Sequence, residues 1–506
     1  MSLGFVGTSV WSAPHAGPTR EAPLALSRHT SSPHPISTSS ACSNYVGDRG
    51  AAASVGALAA GAAVVVTAAR RGPRVGRRGS GRTATAAEGK RRVVVTGLGI
   101  VSAHGNDKEE FYEKLCAGKS AAKLITKFNP EGLSTQIAHQ IDGFSAAGYI
   151  DAKNERRMDD VVKYTIVCGK KALEDAGLGM DTDDFQKLDK ERCGILIGSA
   201  MGGTSLQTSI DNMEKLLAGK KLSPFFVPYT LVNVPGGLLA IDVGFKGPNY
   251  AIVTACATGN YCIAAGAGHI QKGECDIVLA GGAEAAVTRA GIGGFIACKA
   301  LSSRNDEPTR ASRPWDKGRD GFVMGEGAGV LCLEELEHAK ARGATIYAEY
   351  LGSAYTCDAH HMTEPHPKGD GVARCIKNAI KDAGVEASRV GYMNCHGTST
   401  PAGDMAEVRA IQRAFDHKTD NLVVNSTKSM LGHCLGAAAG VEAVVTIQAL
   451  RLQKVHPTIN LEDREDGFDL NAPSDALLLP NLEVAASNSF GFGGHNSTVL
   501  FGRYDA

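Results

Sequence analysis

A chain of 506 residues, 43% hydrophobic and 21% charged, is long enough for an enzyme with one or more large cores. Its 53 basic and 53 acidic residues balance only in sum: residues 1–90 hold ten Lys/Arg against three Asp/Glu, leaving 43 against 50 for the rest. A mildly acidic body without Lys/Arg blocks excludes a nucleic-acid binder, whose phosphate contacts need concentrated positive charge.

Residues 1–90 are rich in Ser, Ala, Gly, Pro and Arg and poor in acids, the composition of an organelle transit leader that is removed. Within them, Ala51 to Ala69 carries no charge and ends at Arg70-Arg71. It reads either as low complexity or as a membrane-crossing part of a plastid leader; Ala and Gly dominate it and Leu is scarce. Arg92-Val93-Val94-Val95-Thr96-Gly97 is the first strand-like run.

Ala172-Leu173-Glu174-Asp175-Ala176-Gly177-Leu178 predicts the end of an amphipathic helix closed by a C-terminal glycine. A strand, Gly194 to Gly198, and a glycine-containing loop, Ala200 to Thr204, follow. The same order returns later: Ala379 to Val385, then Gly391 to Cys395, then His396-Gly397-Thr398-Ser399-Thr400. A third pair is formed by two Ala/Gly-rich helices, one after Cys256 (Tyr261 to Lys272) and one after His433. Alternating strands and helices with this internal repeat predict an α/β fold of two pseudo-equivalent halves, 91–344 and 345–506.

Cys256 lies where the β-like Val253-Thr254-Ala255 breaks into small residues ahead of its helix. A thiol there faces the positive end of the helix dipole, which favours the thiolate; the plainer reading is a packing residue. His396 ends the strand at Cys395, and His433 precedes the second Ala/Gly helix, mirroring Cys256. Lys428, five residues before His433, is either solvated or a cation that favours nearby anions. Asp404 and Glu407 lie one helical turn apart and either orient Lys428 or cap a helix. Asn488-Ser489-Phe490-Gly491-Phe492-Gly493-Gly494-His495-Asn496 is either a hairpin needing positive φ or a loop whose N–H groups form an oxyanion hole. The thirteen cysteines include no C-x-x-C pair, and the adjacent pairs Cys395-His396 and His433-Cys434 lack metal-ligand spacing.

From about residue 91 the chain resembles the β-ketoacyl-acyl-carrier-protein synthases, the elongating condensing enzymes of type II fatty-acid synthesis. The motifs that carry this are T-A-C-A-T-G around Cys256, H-G-T-S-T at 396–400, K-S-M-L-G-H at 428–433 and N-S-F-G-F-G-G-H-N at 488–496, joined by Ala311 to Asp316 and Gly321 to Gly327. Gly247-Pro248-Asn249-Tyr250 and His495 look like the plastid form. The resemblance implies a thiolase fold in five α-β-α-β-α layers and a homodimer. It makes Cys256 the acyl-accepting nucleophile and assigns malonyl decarboxylation to His396 and His433, with Lys428 beside them. The backbone N–H groups of Cys256 and Phe492 match the oxyanion hole, and Phe492 the gate. Thr398 and Thr400 match the phosphopantetheine contacts, and Met201 and Phe490 the substrate pocket. Asp404 and Glu407 are expected as the carboxylate neighbours of Lys428, and Asn394, Glu442, Ser487 and Asn488 as a structural monovalent-cation site. No bound cofactor is expected, because substrates arrive on acyl carrier protein; nor is a membrane span in the mature protein. Plastid localisation is expected, with the mitochondrion as alternative.

Competing readings are a polyketide ketosynthase module and a non-catalytic chain-length-factor-like subunit. The chain ends ten residues after the glycine-rich motif, without the carrier or acyltransferase domains of such modules, and it keeps the cysteine that chain-length factors lack. A histidine at 433 separates it from the initiating condensing enzymes, which carry asparagine there. Thiolases need a second C-terminal cysteine, and the last here is Cys434.

Overall fold

The computed structural model describes residues 90–202 and 206–505. The leader reading of 1–90, the 51–69 stretch and part of the Ala200–Thr204 loop lie outside these residues. Nine strands form one hydrogen-bonded sheet: β1 (Val93–Val101), β2 (Cys193–Gly198), β3 (Ile277–Glu284), β4 (Gly327–Glu335), β5 (Ala348–Cys357), β6 (Val390–Asn394), β7 (Val423–Asn425), β8 (Val484–Gly491) and β9 (His495–Gly502). Their spatial order is β2-β3-β4-β1-β5-β9-β8-β6-β7.

The order contains a duplication. In the first half β2 and β3 are parallel, and β4 and β1 continue the sheet antiparallel. In the second, β6 and β8 are parallel, and β9 and β5 continue it antiparallel. β7 extends the second half parallel to β6, and a single parallel bridge, Ile195 to Asn249, stands at the matching place in the first. Within the sheet, a ladder of three residue pairs joins the halves, Val93–Val95 against Ala348–Tyr350. The two half-sheets are therefore one sheet at this seam and separate layers elsewhere.

Six helices cover and separate them: α1 (Asp160–Asp175), α2 (Val234–Val243), α3 (Thr258–Gln271), α4 (Asp370–Ala383), α5 (Pro401–Ala414) and α6 (Ala438–Leu452). The two predicted glycine-closed helix ends are present: Gly177 follows α1 with φ +73° and Gly384 follows α4 with φ +64°. Strand alternation assigns the layers. Ile195 and Ile197 pack outward with α1 and α2, whereas Leu196 packs inward with α3 and α6. In the second half Val484 and Ala486 face α4 and α5, and Ala485 faces the centre. The result is the expected α-β-α-β-α stack, with α3 and α6 as its middle layer.

The middle layer is close-packed because its helices touch backbone to backbone. A Cβ on Gly259 would lie 2.3 Å from the amide nitrogen of Gly440, so only glycine fits there. Leu435–Leu452 is long and apolar enough to cross a bilayer, but 89% of it is buried inside the protein, as befits a core helix. The turns before α3 and α6 match as well: Ala255 and Leu435 take left-handed φ values of +49° and +48°. Both turns lie where strand ends and helix N-termini meet: the first against Gly491 at the end of β8, the second against Glu284 at the end of β3.

Candidate active site

Cys256 occupies the short turn Ala255–Ala257 that leads into α3. The left-handed Ala255 costs about 1–2 kcal/mol, and hydrogen bonds hold it in place. The amide of Thr254 donates to Thr258 Oγ1 at 3.0 Å, and that hydroxyl donates to the Ala255 carbonyl at 2.7 Å. The glycine-rich segment forms the β8–β9 hairpin, with Gly493 and Gly494 at positive φ. It presses on the nucleophile: a Cβ on Gly491 would lie 2.7 Å from the Cys256 amide nitrogen. The segment is thus a hairpin laid against the cysteine.

His433 reaches the sulfur directly, with Nε2 2.8 Å from Sγ. Its backbone is clamped on both sides: its N–H donates to Val323 O at 2.8 Å, and its carbonyl accepts from Gly325 N at 2.9 Å. The Leu435 amide donates to His433 Nδ1 at 3.3 Å. Nδ1 is then an acceptor, which assigns the ring proton to Nε2, facing Cys256.

His396 comes from the end of β6. The Glu407 carboxylate accepts the N–H groups of His396 and Gly397, both at 2.8 Å, and fixes this bend. The His396 ring lies 4.3 Å from Phe490 and stands nearly perpendicular to His433 at 5.4 Å, centroid to centroid. Ser489 Oγ donates to the Cys256 carbonyl at 3.0 Å and sits 3.4 Å from His396 Nδ1. The sulfur and one nitrogen of each ring all fall within 4.8 Å of one another.

Lys428 is buried behind this trio and ion-paired with Glu442 of α6. Its charge opposes protonation of both histidines, which burial already holds well below the ordinary imidazole range. Burial also pushes the Cys256 thiol up to about 12, with Lys428 pulling the other way. A helix N-terminus supplies at most about 2 kcal/mol, or about 1.5 pKa units, too little to offset that. Burial thus opposes the thiolate that the start of α3 favours. Thiol and imidazole ligands at this spacing would suit zinc by type, but the same positive potential works against a dication.

Asp404 and Glu407 do not orient Lys428. They lie on α5, against the outer face of the second half-sheet, whereas Lys428 pairs inward with α6. Asp404 accepts from the amide of Trp315 at 2.9 Å and faces Arg319 Nε at 3.4 Å, and Glu407 holds the His396 bend. The sequence signal for the true partner was a lone acid, Glu442, inside an apolar helix. Ser489 and the clamp at Val323–Gly325 had no signal beyond their motifs.

Cys256, His396, Thr398, Thr400, His433, Phe490 and Phe492 line one cleft of about 270 Å³. The hydroxyls of Thr398 and Thr400 are 2.9 Å apart. Phe492 lies 6.2 Å from Phe295, another wall residue. Met201 does not line the cleft. It packs into the apolar cluster behind it, which shares Phe295, Phe322 and Leu435 with the wall. On the inner side, Asn394 Oδ1, Glu442 Oε2 and Ser487 Oγ are buried with no hydrogen-bond partner among the described residues. Unpaired oxygens of this kind fit a hard monovalent cation. Asn488 adds no side-chain oxygen: its Nδ2 donates to Glu407 at 2.7 Å, and its Oδ1 accepts from Thr498 at 2.9 Å.

A duplicated five-layer body with a cysteine and two histidines in one cleft defines an acyltransferase of the thiolase fold. Comparison with known proteins narrows this. The family described as beta-ketoacyl synthase matches through its N-terminal domain at residues 90–339 and its C-terminal domain at 347–462. The chloroplastic 3-oxoacyl-[acyl-carrier-protein] synthase I of Arabidopsis thaliana is 53% identical over 417 residues, covering 82% of this chain and 87% of that protein. A beta-ketoacyl synthase crystal structure from Burkholderia phymatum superposes with a TM-score of 0.75 at 34% identity, covering 82% of this chain and all of that one. The ketosynthase of a type II polyketide system solved with its acyl-carrier protein, AntDE:AntF, gives 0.73 at 32%, with the same coverage. The chain belongs to the beta-ketoacyl synthase family.

The protonated thiol sets the pH profile of its reactivity. Below pH 9, alkylation of Cys256 by iodoacetamide is expected to accelerate about tenfold per pH unit, because the thiolate fraction does. A plateau beginning near pH 7 would contradict the burial effect.

Proposed function

We propose that the protein elongates fatty-acyl chains by two carbons through decarboxylative condensation of an acyl thioester with malonyl-acyl carrier protein. In the first half-reaction the Cys256 sulfur attacks the acyl carbonyl, the acyl group moves to the sulfur, and the proton ends on the departing phosphopantetheine thiol. In this reading the N–H groups of Cys256 and Phe492 receive the oxyanion.

The observation that carries the second half-reaction is the state of His433. Its Nδ1 is capped by the Leu435 amide, its Nε2–H faces the sulfur, and its pKa lies well below 6.5. Such an imidazole is a donor and a poor base, and His396 shares the low basicity. A site without a strong base does not strip a C–H proton; it makes a carbanion by losing carbon dioxide. The malonyl C–C electrons become an enolate whose oxygen accepts hydrogen bonds from the two rings. The enolate carbon attacks the Cys256 thioester, the 3-oxoacyl product leaves, and the freed sulfur regains a proton, the state that burial favours. Thr398 and Thr400, which line the same cleft, hold the phosphopantetheine arm in this reading.

Fatty-acid rather than polyketide elongation is favoured by 53% identity to the plant synthase against 32% to the polyketide ketosynthase. Acyl carrier protein is the expected partner. A homodimer is supported by apolar side chains exposed on the first half, among them Leu216, Leu217, Val227, Ile241 and Val253. The plastid is supported by the basic composition of 1–90 and by the chloroplastic relatives. The mitochondrion is the alternative.

The reading is tested with a chain lacking residues 1–90. Cys256→Ala is expected to keep the wild-type far-UV spectrum and oligomeric mass while condensation with malonyl-acyl carrier protein falls at least about 10³-fold. Retention of full activity would refute the assignment. Residues 1–90 fused to a fluorescent protein are expected to direct it into plastids; a cytosolic signal would refute the leader.

A further inference from the structure

Behind the catalytic trio lie unpaired oxygens, and one of them, on Asn394, belongs to a chain of directed hydrogen bonds that no catalytic step uses. Asn394 and Ser487 are register partners on the adjacent strands β6 and β8. Both lie on the inner side, since their neighbours Met393 and Ala486 belong to the outer core and Tyr392 and Ala485 to the central one. Glu442 comes from α6 in the middle layer. Asn260 comes from α3: its Nδ2 donates to the Ser487 carbonyl at 3.2 Å, and its Oδ1 is buried without a partner. Four oxygens, from Asn260, Asn394, Glu442 and Ser487, thus stand unsatisfied in one buried region among the described residues. Leaving such a group unpaired costs about 1–3 kcal/mol each, a cost that a bound cation would remove.

For Asn394 the direction of the amide is decided by its neighbours. Pro457 O can only accept and lies 2.8 Å from His456 Nδ1, so that nitrogen carries the proton. Asn425 Nδ2, 3.3 Å from Nδ1, makes its own bond to the His456 carbonyl at 2.8 Å. His456 Nε2 is therefore bare and accepts from Thr427 Oγ1 at 2.9 Å. With its single proton committed, the Thr427 oxygen accepts from Asn394 Nδ2 at 2.7 Å. The other amide hydrogen goes to Tyr392 OH at 3.1 Å, whose proton goes to Asn425 Oδ1 at 2.8 Å. Both N–H groups of Asn394 are spoken for, and a flipped amide would set a hydrogen where a cation needs an oxygen.

We propose that His456, acting through Thr427, is the positioning residue that turns the Asn394 oxygen toward a monovalent-cation cradle completed by Asn260, Glu442 and Ser487. The proposal rests on the cation reading of this site and adds Asn260 in place of the Asn488 side chain.

The test is thermal unfolding of the chain lacking residues 1–90 in KCl, with choline chloride holding ionic strength constant. Wild type is expected to gain stability with K⁺ and saturate. His456→Phe, which fills the ring volume but accepts nothing, is expected to weaken the apparent K⁺ affinity about 10–100-fold. His456→Gln, which restores an acceptor, is expected to recover part of it, and Thr427→Val replaces His456→Phe if that variant does not fold. Wild-type K⁺ affinity in these apolar variants would overturn the relay while leaving the cation reading intact. Absence of any K⁺ effect on wild type would overturn both, the region then holding water only.

Discussion

A single buried ion pair, Lys428 with Glu442, sets the electrostatics of the whole centre. An ammonium taken out of water demands a partner, and one anion on α6 supplies it. What remains is a positive potential felt by Cys256, His396 and His433 alike. Added to burial, it keeps both imidazoles neutral while restraining the rise of the thiol. The site is accordingly a set of neutral groups, with His433 Nε2–H as a donor toward the sulfur, suited to stabilising negative charge that appears during the reaction.

The duplication explains why one half bears the nucleophile and the other the histidines. Both middle helices begin from the same turn, with a left-handed residue first and the nucleophile position second. In the first half that second residue is Cys256, and its amide faces the glycine hairpin. In the second it is Gly436, whose amide donates at 3.0 Å to Glu284. The same carboxylate takes the amides of Ala200 and Met201 at 2.8 and 3.3 Å. The second helix start is thereby closed by the protein itself, and the end of β6 and the loop before α6 carry His396 and His433 toward the first.

Much of this was legible in the sequence because it depends on local pattern. Glycine-closed helices, the strand before each loop and the small residues around Cys256 follow from backbone sterics and periodicity, and they lie where the spacing put them. What failed depends on which face of a layer an element packs against. Asp404 and Glu407 follow His396 closely in the chain, yet α5 lies outside the sheet, so they fix the His396 bend and Trp315 rather than Lys428. Met201 follows a strand end like the cleft residues but sits one layer of side chains behind them. For Cys256 the sequence displays the helix start, which favours the thiolate, and hides the burial that opposes it.

The central claim is that the resting trio is neutral rather than a thiolate–imidazolium pair. It is tested most directly by ¹⁵N NMR of imidazole-labelled protein, with His396→Ala and His433→Ala assigning the signals. The account predicts that both rings keep neutral-tautomer shifts from pH 8 down to pH 5, with His433 as the Nε2–H form. An imidazolium signal from either ring at pH 7 would contradict it.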